Sequence, residues 1–232
     1  MRLFAVRSGD RVVPAALWLP AETSGPVPLV LLGHGGSQHK TSPGPMEVVR
    51  RVVEHHSCAA LAIDGPVHGA RRADGGRDVD AVRRDAVRAF DDPGTVPSMT
   101  ADWRAVLAAV DAMDDVSLGP IGYRGVSMGT LYGLPLIAEE PRIVAAALGL
   151  WGLGGEFSAM DAPVRAACPA VRCPVLFLAQ ESDEFFPLAG VTELFGALGT
   201  DDRRLHLNVG AHGEVPTPEW EASVDFVVSR LT

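Results

Sequence analysis

Residues 125–129 of this 232-residue chain read Gly-Val-Ser-Met-Gly, and no other Gly-x-Ser-x-Gly occurs in the sequence. An apolar run, 121–126, leads into the serine, and a helix-like segment, 128–140, follows it. A serine between two glycines at a strand-to-helix junction is typical of a turn too sharp for side chains at its flanks. Such a turn holds the serine in a strained backbone. The stretch therefore predicts that Ser127 exposes its hydroxyl at the end of a buried strand.

Composition limits the classes of protein to which the chain can belong. Its length, with 47% hydrophobic residues, fits one α/β domain that spans 1–232 and buries a large core. The net charge of −9 and the lack of a basic stripe argue against nucleic-acid binding. No apolar run is long enough to span a membrane, and the N-terminus does not read as a signal peptide.

The three cysteines, Cys58, Cys168 and Cys173, form no C-x-x-C pair. An odd number without such a pair indicates reduced thiols, which predicts a cytoplasmic location. A homodimer is compatible with these features.

Strand and helix patterns alternate along the chain. Eight segments read as strands: 3–7, 12–19, 27–33, 58–63, 121–126, 143–150, 174–179 and 203–209. Helical patterns fall at 45–57, 78–90, 99–113, 128–140, 188–198 and 218–231. Continuous apolar strands separated by helices predict an α/β fold with an eight-stranded, mostly parallel sheet and helices on both faces. Pro135 predicts that the helix after Ser127 is either kinked or short.

This order of elements, with the serine turn after the fifth strand, resembles the α/β-hydrolase fold over nearly the whole chain. In that fold the triad follows the chain order Ser, then Asp or Glu, then His. Asp183 stands after the seventh strand and has Pro187 four residues later, which is similar to the family's acid turn. Residues 208–213, Asn-Val-Gly-Ala-His-Gly, resemble the family's histidine loop. The resemblance implies catalysis by Ser127, Asp183 and His212.

The chemistry of acyl transfer needs these residue types. A serine hydroxyl is nearly inert at neutral pH, so it needs a base within hydrogen-bond reach, and imidazole is the natural one. A carboxylate then fixes the tautomer of the imidazole and stabilises the imidazolium that forms. Glu181 and Glu184 flank Asp183 and are the alternative acids, although the spacing to Pro187 favours Asp183.

An oxyanion needs two preorganised N–H donors. By resemblance to the family, one is the backbone N–H of Met128, the residue after the nucleophile. The other should come from the loop after the third strand, where Gly36 is the first choice and Ser37 the second. His34 is expected to brace this loop rather than to take part in catalysis.

A second resemblance rests on residues 64–69, Asp-Gly-Pro-Val-His-Gly. They are similar to a turn of dienelactone-hydrolase-like esterases that is mostly structural in that family. Dienelactone hydrolase itself uses a cysteine nucleophile, whereas Ser127 implies serine ester chemistry. The segment 151–172 is too short for a large cap domain, so the segment 69–100 is expected to cover the site.

The sequence says least about which residues contact the substrate. Trp151 and Phe186 could form apolar walls, Ser37 could touch the substrate, and Arg71 could receive an anionic group. Packing in the core explains the aromatic residues equally well, and a solvated loop explains the arginine. No metal-ligand spacing such as H-E-x-x-H occurs, so no metal or cofactor is expected.

These features together predict a serine hydrolase that cleaves a small-molecule carboxylic ester through an acyl-enzyme intermediate. A thioesterase or acyltransferase with the same triad is the alternative. A non-catalytic binding protein on a hydrolase scaffold is less favoured, because a binding function alone does not require all three triad residues.

Overall fold

The computed structural model describes residues 1–22, 25–76, 78–114 and 116–231. Its centre is one sheet whose strands, in chain order, are β1 Arg2–Ser8, β2 Arg11–Trp18, β3 Val27–Gly33, β4 Ala59–Ile63, β5 Leu118–Gly125, β6 Ile143–Gly149, β7 Val175–Gln180 and β8 Arg203–Asn208. They lie side by side in the order β1-β2-β4-β3-β5-β6-β7-β8. Strand β2 is antiparallel to both of its neighbours, and the remaining pairs are parallel. The predicted eight-stranded, mostly parallel sheet is therefore confirmed.

Helices cover both faces of this sheet. They are α1 Pro43–Arg50, α2 Val79–Ala89, α3 Thr95–Asp111, α4 Met128–Glu139, α5 Asp161–Ala167, α6 Leu188–Ala197 and α7 Thr217–Val228. Two separate apolar clusters result, one beneath α1 and α7 and the other beneath α2 to α6. In β3, Leu29 and Leu31 belong to one cluster while Val30 and Leu32 belong to the other. This alternation follows from the two-residue period of a strand that is buried on both faces.

The structure differs from the sequence-based elements in three places. Helix α4 continues through Pro135, so the proline does not shorten it. Every residue from Met128 to Ile137 is buried, and this burial outweighs the roughly 3 kcal/mol that an interior proline costs a helix. Helix α1 continues into a wider π-helical turn at Arg51–His55. The segment 151–172 contains the unpredicted helix α5, but no large cap.

The loops that follow β3 and β5 meet at one edge of the sheet. Strand β4 lies on one side of β3 and β5 lies on the other, so the direction of winding reverses at this point. Gly33 at the end of β3 is in register with Gly125 at the end of β5. In open α/β sheets such a reversal leaves a crevice in which ligands bind. In the part of the chain that the structure describes, no helix is long and apolar enough to cross a membrane.

Candidate active site

The turn between β5 and α4 holds Ser127 in a strained conformation, with φ 56° and ψ −123°. The end of β6 supports this turn, since the Ser127 N–H donates to the Gly149 carbonyl at 2.8 Å. The Thr130 hydroxyl lies 2.6 Å from the same carbonyl and accepts the Gly149 N–H at 2.8 Å. A backbone in such a sparsely populated region persists only where its surroundings hold it. Here the neighbouring strand supplies those constraints.

Side chains from two other loops form a hydrogen-bond chain to the hydroxyl of Ser127. Nε2 of His212, in the loop after β8, lies 3.0 Å from Ser127 Oγ. Nδ1 of the same ring lies 2.8 Å from Oδ2 of Asp183, in the loop after β7. Because a carboxylate can only accept, Nδ1 carries the proton and donates it to Asp183. Nε2 is then free to accept a proton from Ser127.

The structure distinguishes Asp183 from the neighbouring Glu184. Oδ1 of Asp183 accepts the N–H groups of Phe185 at 2.9 Å and Phe186 at 3.1 Å, which aims Oδ2 at the imidazole. The Asp183 side chain is only 2% exposed. Glu184 is exposed, but its carboxylate accepts the backbone N–H of His212 at 2.8 Å. Glu184 thus helps to hold the histidine loop, a role that the sequence did not indicate.

Three backbone N–H groups lie in the turns that follow β3 and β5. Among the described residues, no acceptor binds the N–H of Gly36, Ser37 or Met128. Met128 is the first residue of α4, where unpaired N–H groups and the helix dipole favour negative charge. The N–H groups of Gly36 and Met128 are therefore available to stabilise an oxyanion, and Ser37 remains the alternative to Gly36.

Two buried histidines brace the loop that contains Gly36. His34 lies with Nδ1 2.9 Å from the Gly35 carbonyl, and its Nε2 accepts the Gly65 N–H at 2.9 Å. Burial, together with the nearby His68, lowers the pKa of His34 to about 3, so the ring is neutral near pH 7. His68 lies with Nε2 2.8 Å from the Gly36 carbonyl. These contacts agree with a bracing role for His34.

The turn at 64–69 is held by an internal ion pair. Asp64 is fully buried and accepts hydrogen bonds from Lys40 Nζ at 2.6 Å and from the Ala70 N–H at 2.8 Å. Burial on its own raises the pKa of a carboxyl, but the hydrogen bonds and charge of Lys40 outweigh it and keep the pKa of Asp64 below its ordinary value. These contacts agree with the structural role that the resemblance to dienelactone-hydrolase-like esterases implies for this turn.

An aromatic cluster lies against the imidazole of His212. Its members are Phe90, Trp151, Phe157, Phe185 and Phe186. The Phe185 ring meets the His212 ring edge-on, with centroids 5.0 Å apart, and the Phe186 centroid is 5.9 Å away. The sequence did not single out Phe90 or Phe157, although Phe90 falls in the segment 69–100 that was expected to cover the site.

Three of the predicted substrate contacts need correction. Trp151 and Phe186 are 2% and 1% exposed, so they shape the aromatic cluster from within and offer a ligand little surface. Arg71 does not face a substrate: its guanidinium donates to buried Asp102 at 2.7 Å and to the Asp64 carbonyl at 2.8 Å. The buried carboxylate of Asp102 needs a counter-charge, and Arg71 supplies one. Ser37 is exposed on its loop, as a substrate contact requires.

The described residues form no set of metal ligands. Across residues 1–22, 25–76, 78–114 and 116–231, no group of three or more His, Cys, Asp or Glu side chains is placed to hold an ion.

Comparison with known proteins places this chain in a family. No protein-family model matches the sequence, and no curated protein does. Among solved structures, a cold-adapted esterase from an Arctic intertidal metagenomic library, in a PEG-bound complex, is 37% identical to this chain. The match covers 100% of this chain and 94% of that one, with a TM-score of 0.83. The chain is an esterase of the α/β-hydrolase superfamily.

More distant members of this superfamily share the fold. Dienelactone hydrolase from Anabaena variabilis is 20% identical over 100% of this chain and 98% of its own, with a TM-score of 0.72. Est1E from Butyrivibrio proteoclasticus, solved with ferulic acid bound, is 17% identical over 98% of both chains, with a TM-score of 0.70. The predicted resemblance to dienelactone-hydrolase-like esterases is confirmed.

Proposed function

We propose that this α/β-hydrolase cleaves carboxylic esters of small or medium-sized acyl compounds through an acyl-enzyme formed on Ser127. The observation that supports this proposal is the continuous hydrogen-bond chain from Ser127 Oγ through His212 to Asp183, with steps of 3.0 and 2.8 Å. Both distances lie within the range over which a base takes a proton from a nucleophile.

In the first half-reaction Ser127 Oγ attacks the ester carbonyl carbon while its proton passes to His212 Nε2. The imidazolium that forms is stabilised by the carboxylate of Asp183. When the tetrahedral intermediate collapses, the bond to the alcohol oxygen breaks, and His212 gives its proton to the departing alcohol. The acyl group remains as an ester on Ser127.

In the second half-reaction water takes the place of the alcohol. His212 accepts a proton from the water as its oxygen attacks the acyl carbon, and the same proton returns to Ser127 when the acid leaves. The enzyme is regenerated with no net change, so the chemistry needs no group beyond this chain and water.

The charge that develops on the carbonyl oxygen is met by the N–H groups of Gly36 and Met128. Such donors stabilise the transition state because they are oriented before the reaction starts. His68 supports the first donor by its contact with the Gly36 carbonyl, at 2.8 Å. The turn at Ser127, which the end of β6 supports, positions the N–H of Met128, the second donor.

Among the residues that the structure describes, no large cap covers the crevice, which favours access by small and medium-sized substrates. The aromatic cluster offers these substrates an apolar wall. Phe157 and Phe185 are the members of that cluster with exposed surface, since Phe90, Trp151 and Phe186 are buried. Exposed rings beside a catalytic imidazole suit the apolar part of an acyl or alcohol group.

The proposal is tested with p-nitrophenyl esters and acyl-CoA thioesters, each with acyl chains from acetyl to dodecanoyl. Intact-protein mass spectrometry during turnover should show one acyl group per chain. The Ser127→Ala variant should lose both the acyl adduct and the activity, whereas the exposed Ser158→Ala control should keep both. Faster turnover of the thioesters would instead identify a thioesterase. An acyl adduct that persists in Ser127→Ala would refute the assignment of the nucleophile.

A further inference from the structure

A second cavity lies on the other face of the sheet from the aromatic cluster, between α1 and α7. Its volume is about 330 Å³, and neither Ser127, Asp183 nor His212 lines it. Most of its wall is apolar, and part of that apolar wall belongs to the core cluster beneath these two helices. The principal apolar lining residues are Leu32, Pro45, Val48, Val126, Trp220 and Val224.

Arg124 brings a positive charge into this apolar wall. It lies in β5, is 6% exposed, and stacks on the Trp220 ring at 4.3 Å. Its Nε donates to the hydroxyl of Ser223 at 3.3 Å, while its Nη2 is buried and has no hydrogen-bond partner. Burial lowers the pKa of Arg124 to about 9, which leaves the guanidinium charged near pH 7.

No carboxylate of the described residues pairs with Arg124. The acidic side chains that line the cavity are already engaged, Glu47 with Arg50 and Glu221 with Arg51. A buried charge without a counter-charge is strongly unfavourable, because its lost hydration is not replaced. Stacking on Trp220 and one long hydrogen bond to a neutral hydroxyl replace only part of that hydration.

We propose that this cavity binds a small organic carboxylate whose apolar body fills the space between α1 and α7 and whose carboxylate pairs with Arg124. Arg124 lines the cavity and has no counter-charge among the described residues, and a carboxylate is the planar acceptor that a guanidinium matches best. The apolar wall excludes water from the remainder of such a ligand. A phosphate group, with more charge, would need additional cations, and the other arginines on this lining are paired.

The site is separate from the ester-cleaving crevice, yet it adjoins the same two segments. Val126, on its wall, directly precedes Ser127, and Gly35, also on its wall, directly precedes Gly36. A ligand in this cavity therefore touches both segments that hold the proposed oxyanion donors, but from the opposite side of the sheet.

The test uses octanoate as the probe and protein whose Ser127 has been blocked with a fluorophosphonate, so that binding in the catalytic crevice does not contribute. Octanoate should bind and raise the melting temperature, while octan-1-ol, which has a similar apolar body but no charge, should bind at least about tenfold more weakly. Arg124→Met should weaken octanoate binding by about 10- to 100-fold, the range for loss of a charged hydrogen bond. Arg204→Met, on the exposed end of β8, should bind as the wild type does.

A second variant keeps the proposal testable if Arg124→Met fails to fold. Val48→Phe, on the half-buried rim of the cavity, should exclude octanoate while Arg124 is retained. The proposal is overturned if octanoate does not bind the blocked wild type, if octan-1-ol binds equally well, or if both variants bind octanoate unchanged. Equal stabilisation by chloride or inorganic phosphate would also overturn it, because the site would then take a simple anion.

Discussion

Gly33 and Gly129 lie in backbone contact at the centre of the esterase. A Cβ atom added to Gly129 would lie 2.8 Å from the Gly33 carbonyl oxygen, and one added to Gly33 would lie 2.9 Å from the Gly129 Cα. Real Cβ atoms do not approach so closely, so either side chain would push β3 away from the start of α4. This contact sets the distance between the loop of Gly36 and the turn at Ser127. It thereby sets the distance between the two proposed oxyanion donors, the N–H groups of Gly36 and Met128.

A single methyl group at this contact should therefore damage the enzyme. We expect Gly129→Ala to lower the free energy of unfolding by about 1–3 kcal/mol, the cost of overpacking, and to lower kcat. Gly196→Ala is the matched control, because a Cβ there meets no atom within 4 Å and Gly196 lies in helix α6. That variant should be as stable as the wild type or more so, by up to about 1 kcal/mol. If urea denaturation showed that Gly129→Ala and Gly196→Ala change the stability equally, the close contact between Gly33 and Gly129 would be contradicted.

The acid of the triad can be tested against its neighbour. Asp183→Asn should keep the fold but lose kcat by on the order of 10⁴, as in the serine-protease template, because an amide can donate to Nδ1 and so favour the wrong tautomer. Glu184→Gln should cost little, since an amide oxygen can still accept the His212 N–H. Steady-state kinetics on one p-nitrophenyl ester measures both. If Glu184→Gln loses as much kcat as Asp183→Asn, the acid has been assigned to the wrong residue.

The buried His34 should make stability depend on pH. Its pKa, about 3 in the folded protein, lies below the 6.5 of a free histidine, so the unfolded chain takes up the proton first. The stabilisation is complete above about pH 6.5 and is lost as the pH falls toward about 3. Within this window the slope of unfolding free energy against pH should be about 1.4 kcal/mol per unit larger in the wild type than in His34→Gln.

Urea denaturation at several pH values between about 4 and 7 measures that slope. His34→Gln is the suitable variant because a neutral amide can accept the Gly65 N–H and donate to the Gly35 carbonyl. The exposed His55→Gln controls for the loss of a histidine as such. Identical slopes in the wild type and His34→Gln would show that His34 does not titrate between these pH values.

Chelation separates the proposed triad from metal catalysis. Because the triad chemistry uses only side chains and water, EDTA should leave ester hydrolysis unchanged. This EDTA experiment is needed because a zinc-bound structure exists for the Arctic esterase, which is 36% identical in that comparison. Activity that disappears on chelation and returns with added zinc would contradict the mechanism and direct attention to His34, His39 and Asp64.

Much of the fold follows from local properties of the chain. Apolar runs of strand length, the helical periods between them and the glycines around Ser127 all act over a few residues. For this reason the eight strands and their mainly parallel arrangement could be predicted. The order Ser, Asp, His along the chain, together with the family resemblance, also selected the three side chains that the structure joins in one hydrogen-bond chain through His212.

The prediction was weaker wherever a side chain finds its partner far away in the chain. Arg71 pairs with Asp102, 31 residues later, and so turns inward rather than toward a substrate. Glu184 binds the backbone of His212, 28 residues later. Nothing in the local pattern around either residue indicates these partners.

The sequence by itself determined the class of fold and the position of the serine turn, because these depend on short-range periodicity and spacing. The resemblance to a known family selected the residues that could form a triad. Only the tertiary structure decided which charges are neutralised inside the protein and which are not. Arg71 meets a carboxylate, whereas Arg124, which the sequence did not single out, lies beside a cavity with no carboxylate partner among the described residues. The physical reason is that the cost of burying a charge depends on the groups brought next to it in space.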